Sequence, residues 1–201
     1  MAQRLAALIR GGIIGAVIIC GTPIHPFACQ APVQGQQANT GELKLTPEEE
    51  KDSYDIYSML LIQTAPPGSD KKIWLIEQKT AIYPGDSSAA CIEPLAEQNP
   101  VYIPAMKDYV VKNREQLPLI RKFNLPAYDL IEHSSEFPNR RDLVFQVSAV
   151  GFNKDRTRVL VYVGHVCGPT CGGGTYHFLM KKNGHWQTDP NFRGTSCGWA
   201  S

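Results

Sequence analysis

Residues 143–201 decide the fold of this chain, and they read LVFQVSAVGFNKDRTRVLVYVGHVCGPTCGGGTYHFLMKKNGHWQTDPNFRGTSCGWAS. The stretch holds three of the six cysteines, three of the five histidines and two of the three tryptophans. β-Branched and aromatic residues, which fit a pleated and half-buried surface, recur through most of it. This pattern predicts a run of antiparallel strands, which we place at 143–152, 157–167, 175–182, 185–188 and near 196–200.

The Asn183-Gly184 pair predicts a tight hairpin turn. A type I′ turn needs a positive φ at both central residues, and Asn-Gly meets this need better than other pairs. A two-residue turn also sets the register of the strands that it joins. We therefore expect Lys181 to lie opposite Trp186 and Lys182 opposite His185.

A second hairpin closes through residues 168–174 (GPTCGGG), where several loop types fit. A loop symmetric about its middle residue pairs His165 with His177 and Cys167 with Thr175. All four of these side chains then share one face of the sheet, because side chains alternate with a period of two. A slip of one residue would send the two histidines to opposite faces.

Residues 1–29 predict a signal peptide. Arg4 and Arg10 give a positive start, and the apolar run that follows at 11–20 (GGIIGAVIIC) is short for a transmembrane helix. Two alternatives stay open, an uncleaved anchor and lipidation at Cys29.

The rest of the chain divides into a linker and one domain. Residues 30–45 (QAPVQGQQANTGELKL) are rich in Gln, Ala and Gly, which predicts a flexible linker. Residues 46–201 have the length of a single domain. Without residues 1–29 the chain has 18 basic and 19 acidic residues, so it is close to neutral. This balance argues against a nucleic-acid partner, because the chain has no basic patch. It argues against binding to anionic lipid for the same reason, so we expect membrane contact only through the N-terminal segment, if that segment is uncleaved or lipidated.

The elements before residue 143 complete the predicted fold. Thr46 and Glu49 form a capping box, so the acidic run that follows Pro47 suits the start of a helix better than catalysis. Further along the chain we predict, in order, a helix at 47–62, a strand at 72–82, a loop at 84–99 that contains Cys91, a helix at 104–114 and a short strand at 128–132. The predicted class is α+β, with two or three helices packed on one face of an antiparallel β-meander sheet.

Several segments together resemble a group of secreted or envelope bacterial proteins that carry no assigned function. The segments are DSYDIYSMLL, KIWLIEQKTA, KNREQLPLIRKF, and the VGFN turn joined to the CGPTCGGG hairpin. The resemblance spans most of residues 46–201, and the VGFN turn with its hairpin is its most specific part. It implies a bacterial envelope location. It implies no activity, and no catalytic residue carries over from it.

Four cysteines follow residue 29, an even number in a chain predicted to be exported, and disulfides persist in that compartment. Four cysteines allow three connectivities. We favour a local bridge between Cys167 and Cys171, which flank a short loop, and this leaves Cys91 to pair with Cys197.

The same hairpin carries two alternative hypotheses. His165, Cys167, Cys171 and His177, which we call the cysteine–histidine corner, are ligand types that zinc accepts, although their spacing matches no strong zinc pattern. A thiol nucleophile with a histidine base is the other hypothesis, and no peptidase signature accompanies it. The run CGGGT lacks the Lys-Ser or Lys-Thr of a phosphate-binding loop. Trp186 and Trp199 are expected to pack within the sheet.

The sequence therefore predicts an exported protein with no cofactor and no nucleic-acid partner. We interpret it as a non-catalytic, disulfide-stabilised binding or structural module of the cell envelope, whose partner or ligand is unknown. The alternative is a thiol- or metal-dependent hydrolase that uses the cysteine–histidine corner.

Overall fold

The structure is a computed structural model, and it describes residues 44–64, 73–81, 85–132, 143–168, 171–194 and 197–200. The predicted signal peptide and nearly all of the predicted linker lie outside these ranges. The division into signal peptide, linker and domain therefore stays a prediction.

Helix α1 (Pro47–Thr64) begins at the predicted capping box. The backbone N–H of Thr46 donates to Glu49 Oε2 over 3.0 Å, and the backbone N–H of Glu49 donates to Thr46 Oγ1 over 3.2 Å. Two of the N–H groups left unpaired by the helix start are satisfied in this way. The helix then buries one side, which carries the apolar side chains of Tyr54, Ile56, Tyr57, Leu60 and Leu61.

Two further helices and eight strands complete the described part of the chain. Helix α2 (Gly85–Gln98) is followed by a single 3₁₀ turn (Pro100–Tyr102) that leads directly into α3 (Ile103–Lys112). The strands are β1 (Trp74–Glu77), β2 (Tyr128–Ile131), β3 (Val144–Val147), β4 (Gly151–Phe152), β5 (Arg158–Gly168), β6 (Cys171–Lys182), β7 (His185–Thr188) and β8 (Gly198–Ala200).

The prediction of a loop at 84–99 is wrong, because residues 85–98 form α2. Pro94 lies inside the helix, and Ile92 and Leu95 are its only large aliphatic residues, so the sequence pattern is weak there. Ile92, Leu95 and Ala96 are nonetheless buried at helical spacing. Packing of this short apolar side against the sheet supplies the stability that intrinsic helix propensity does not.

The strands form one mixed sheet, largely antiparallel, with the order β2-β1-β3-β5-β6-β7. Strand β4 also pairs with β5, and β8 also pairs with β6. The predicted α+β class is confirmed. The predicted all-antiparallel meander differs from the structure, because β1 runs parallel to both β2 and β3. Parallel strands need a long crossover, and α2 and α3 lie between β1 and β2 in the chain and supply it.

Helices cover both faces of the sheet, whereas the sequence predicted helices on one face. Along β5, Val159, Val161 and Val163 join the buried cluster that contains α1, on what we call the α1 face. Leu160 and Tyr162 alternate with them and join the cluster that contains α2 and α3, on the α2/α3 face. A strand buried on both faces is continuously apolar, as the run VLVYV in β5 is.

Candidate functional site

The hairpin of β5 and β6 carries the cysteine–histidine corner. Its register places Val161 opposite His177 and Gly173 opposite His165. The predicted pairing of His165 with His177 is therefore wrong by four residues. Cys167 is likewise not opposite Thr175. Because four is an even number, both histidines still belong to the same face of the sheet, the α1 face.

The register differs because Gly172, Gly173 and Gly174 belong to β6 instead of the loop. The ring of Tyr162 lies on the α2/α3 face against Gly164 and Gly174, and a Cβ atom at either glycine would collide with it. Glycine normally weakens a strand, but here it gives an aromatic ring room to lie flat across two paired strands. Gly174 also pairs with Trp199 of β8, and the indole N–H of Trp199 donates to Tyr162 Oη over 2.9 Å.

Both predicted cysteine pairs are confirmed. Cys167 and Cys171 form one disulfide with a Cα–Cα distance of 5.0 Å, and Cys91 and Cys197 form the other at 5.8 Å. The first closes the hairpin, and the second ties α2 to the segment that leads into β8. All four thiols are consumed, so in this oxidised form neither a cysteine nucleophile nor a pair of thiolate ligands remains at the corner.

The two histidines of the corner are too far apart to share one ion. Val161, the partner of His177, is four residues from His165 along β5, which is about 13 Å at the usual rise per residue. Within the described ranges, no group of three or more His, Cys, Asp and Glu side chains is close enough to hold a metal ion. The structure therefore does not assemble the four-ligand zinc site that the sequence offered as an alternative.

A cleft of about 220 Å³ lies between the two histidines on the α1 face, and we call it the histidine cleft. The apolar side chains of Phe145 and Val163, both almost fully buried, contribute to its lining. The other lining residues are Gly164, His165, Gly174, Thr175, His177 and Thr64, which is the last residue of α1.

His177 is the most unusual group in the histidine cleft. Burial lowers the pKa of its imidazole to about 4, so the ring is neutral at pH 7. Its Nε2 atom is buried and has no hydrogen-bond partner among the described residues. A buried polar atom without a partner costs free energy, so its presence needs a structural or functional reason.

Sequence reasoning placed His165, His177 and Thr175 on one face of the sheet but missed the other residues that line this cleft. Thr64 and Phe145 come from α1 and β3, and only the tertiary fold brings them to the hairpin.

A second polar cluster, which the sequence did not single out, forms around the buried carboxylate of Asp52 in α1. This carboxylate accepts a hydrogen bond from Lys181 Nζ at 2.7 Å and weaker ones from Arg156 and from the indole N–H of Trp186, both at 3.4 Å. These contacts join α1 to the β6–β7 hairpin and to the turn before β5. The buried position of Trp186 confirms its expected packing role.

No protein-family model matches this chain, and neither the curated proteins nor the solved structures contain a match to it. None of the helices within the described ranges is long and apolar enough to cross a membrane.

Proposed function

We propose that this protein is an exported, non-catalytic binding module of the bacterial cell envelope, stabilised by its two disulfides. The observation that carries the proposal is the pairing of Cys167 with Cys171 and of Cys91 with Cys197. Such pairs persist in oxidising compartments and are rare in the cytosol. The resemblance to uncharacterised envelope proteins supports the same location, and membership of that group is part of the proposal.

The chemistry at the corner favours binding over catalysis. The disulfide removes both candidate nucleophiles, and a histidine whose pKa is near 4 is a weak general base at neutral pH. A catalytic histidine also needs a partner for its ring nitrogens, and the Nε2 atom of His177 has no hydrogen-bond partner among the described residues. What remains is a small cleft with an apolar lining and fixed polar groups, which is the usual composition of a ligand site.

A hydrolase at the same corner is the second candidate. One observation favours it, because perturbed histidines in clefts are typical of active sites. In that case Cys167 and Cys171 would be reduced in the working protein, and one of them would act as a nucleophile or as a metal ligand.

Thiol counting on natively purified protein separates the two candidates. The protein is treated with N-ethylmaleimide before and after reduction in denaturant, and intact mass with peptide mapping assigns each label. We expect no label at the four cysteines before reduction and one label at each of them afterwards. A variant with Cys167→Ser and Cys171→Ser is the matched control, and it should gain two labels instead of four.

Labelling of Cys167 or Cys171 without reduction would contradict the binding module. Stoichiometric zinc in the native protein, found by elemental analysis, would contradict it as well. Either result would make the cysteine–histidine corner the active-site candidate.

A further inference from the structure

We propose that the Cys167–Cys171 disulfide is a thiol–disulfide exchange site, at which a dithiol opens the bridge while the Cys91–Cys197 disulfide stays closed. The substrate class is a dithiol, carried by a small molecule or by another protein. This inference goes beyond the proposed binding function, although both start from the same two disulfides.

The two disulfides differ in how far a reductant can reach them. Cys171 is exposed and Cys167 is half-buried, at the end of the β5–β6 hairpin. Cys91 is also half-buried, but Cys197 is only 8% exposed and belongs to the buried apolar cluster on the α2/α3 face. A thiolate must reach a sulfur atom to attack it, so exposed disulfides are the labile ones and buried cysteines are inert.

The hairpin does not depend on the Cys167–Cys171 bridge for its shape. The pairing of β5 with β6 begins beside the bridge, at Val166 and Gly172, and continues along both strands. Trp199 of β8 lies against Gly172 and holds it from the other side of β6. The reduced hairpin therefore stays formed, and its two thiols stay close enough to pair again.

The Cys91–Cys197 bridge has the opposite role, because it joins segments that are 106 residues apart in the chain. It connects α2 with the residues that lead into β8. The backbone carbonyl of Cys197 accepts a hydrogen bond from the backbone N–H of Tyr176 over 2.8 Å, so this residue is part of the sheet edge. Opening this bridge would release both α2 and β8, which makes it a structural disulfide.

The exchange takes two steps. One thiolate of the dithiol attacks Sγ of Cys171, forms a mixed disulfide with it and releases Cys167 as a thiolate. The second thiolate of the dithiol then attacks its own sulfur in the mixed disulfide and releases Cys171. Two electrons and two protons pass to the protein in total, so the dithiol becomes a disulfide and the bridge becomes two thiols.

Timed reduction of the folded, oxidised protein tests the selectivity. Dithiothreitol is added at neutral pH without denaturant, free thiols are blocked with N-ethylmaleimide at intervals, and peptide mapping assigns each label. We expect Cys167 and Cys171 to become labelled at least about tenfold faster than Cys91 and Cys197, with no change in the far-UV circular dichroism. The variant with Cys167→Ser and Cys171→Ser is the matched control, and it should gain no label over the same early interval.

Two further reagents define the attack and the substrate. Glutathione is a monothiol, so its mixed disulfide can be trapped at early times, and we expect glutathione on Cys171 and N-ethylmaleimide on Cys167 by tandem mass spectrometry. Reduced thioredoxin, a protein dithiol, replaces dithiothreitol in a parallel arm. Opening by both dithiols assigns the site to protein dithiols, whereas opening by dithiothreitol alone assigns it to small ones.

Four outcomes would overturn the inference. They are no opening of Cys167–Cys171, equal rates at the two disulfides, earlier opening of Cys91–Cys197, and loss of the far-UV signal as Cys167–Cys171 opens. Glutathione on Cys167 would overturn the order of attack. If all four cysteines are paired at the start and the rates are equal, this inference fails while the proposed binding module stands. Labelling of Cys167 or Cys171 before any reductant is added sinks the proposed function itself.

Discussion

At the scale of single residues, His177 and Tyr162 show how one hairpin satisfies different demands on its two faces. On the α1 face, His177 keeps a buried nitrogen unpaired beside the histidine cleft. On the α2/α3 face, Tyr162 requires bare backbone at Gly164 and Gly174. The first arrangement costs stability, and the second gains stability through packing.

His177 makes stability fall with acid. The ordinary pKa of histidine is about 6.5 in an unfolded chain, and burial lowers it to about 4 in the folded protein. Between these values the unfolded chain binds a proton that the folded protein does not, so stability is full above pH 6.5 and is lost as the pH falls. We expect a loss of about 3 kcal/mol from this group by pH 4.

Urea unfolding at a series of pH values measures this effect. His177→Leu should flatten the stability curve between pH 6.5 and 4, whereas His185→Leu should not. Curves of equal slope in the wild type and in the His177→Leu protein would contradict the assignment.

Tyr162 makes Gly174 intolerant of a side chain. We expect Gly174→Ala to lower the free energy of unfolding by about 2–4 kcal/mol, because a methyl group there forces the Tyr162 ring or the strand to move. Gly172→Ala is the matched control in the same strand. Its methyl group would meet the backbone of His165 and the rim of Trp199 at 3.0 Å, a tight contact that small shifts relieve.

Denaturant unfolding of the two glycine variants tests this prediction. The Gly172→Ala variant should lose clearly less stability than the Gly174→Ala variant. Equal losses would mean that the run of glycines serves the strand backbone generally and not the Tyr162 ring.

At the scale of elements, α1 is tied to the sheet by a buried charge as well as by its apolar side. Asp52 holds Lys181 at 2.7 Å and is itself only 4% exposed, whereas Asp55, one turn away, pairs with Lys51 at the surface. The two carboxylates belong to the same helix and differ mainly in their surroundings. They therefore separate the effect of a buried ion pair from that of an exposed one.

Replacing Asp52 should cost far more than replacing Asp55. Asp52→Ala leaves partly buried cations and the Trp186 N–H without their acceptor, so we expect a loss of about 2–4 kcal/mol. Asp55→Ala breaks an exposed pair and should cost less than about 0.5 kcal/mol. Thermal and denaturant unfolding of both variants measures the difference, and similar losses would rule out a structural role for the Asp52 cluster.

Elements that depend on local chemistry were predictable from the sequence. Asn183 and Gly184 have φ values of 51° and 82°, and the register that they set pairs Lys181 with Trp186 and Lys182 with His185 as predicted. The capping box of Thr46 and Glu49 was predictable for the same reason, since both partners lie within one turn.

Elements that depend on distant contacts were not predictable from local patterns. Residues 172–174 looked like a loop because the groups that pack against these glycines, the ring of Tyr162 at Gly174 and Trp199 of β8 at Gly172 and Gly173, come from other strands. Helix α2 looked like a loop because its stability comes from the sheet. The histidines of the histidine cleft were predictable because they belong to one hairpin. Thr64 and Phe145 were not, because they belong to α1 and β3.

At the scale of the whole molecule, the protein combines a local meander with a strand inserted from far away. Strands β5, β6 and β7 follow one another in sequence and in space. Strand β1 lies between β2 and β3, and Leu75 pairs with Asp129 on one side and with Val144 on the other. Strands β3 to β8 therefore come from one continuous part of the chain, whereas β1 and β2 come from segments before it.

The position of β1 has a consequence for how fast this protein reaches its final form. The hairpins of the meander can close early, because short loops lose little entropy and form in microseconds. Strand β1 gains both of its partners only after two long stretches of chain have closed around it, and such non-local pairing slows folding. The edge of β3 that pairs with β1 therefore stays unpaired longest. During that time, the backbone N–H and C=O groups of this edge are the part of the molecule most exposed to association with another chain.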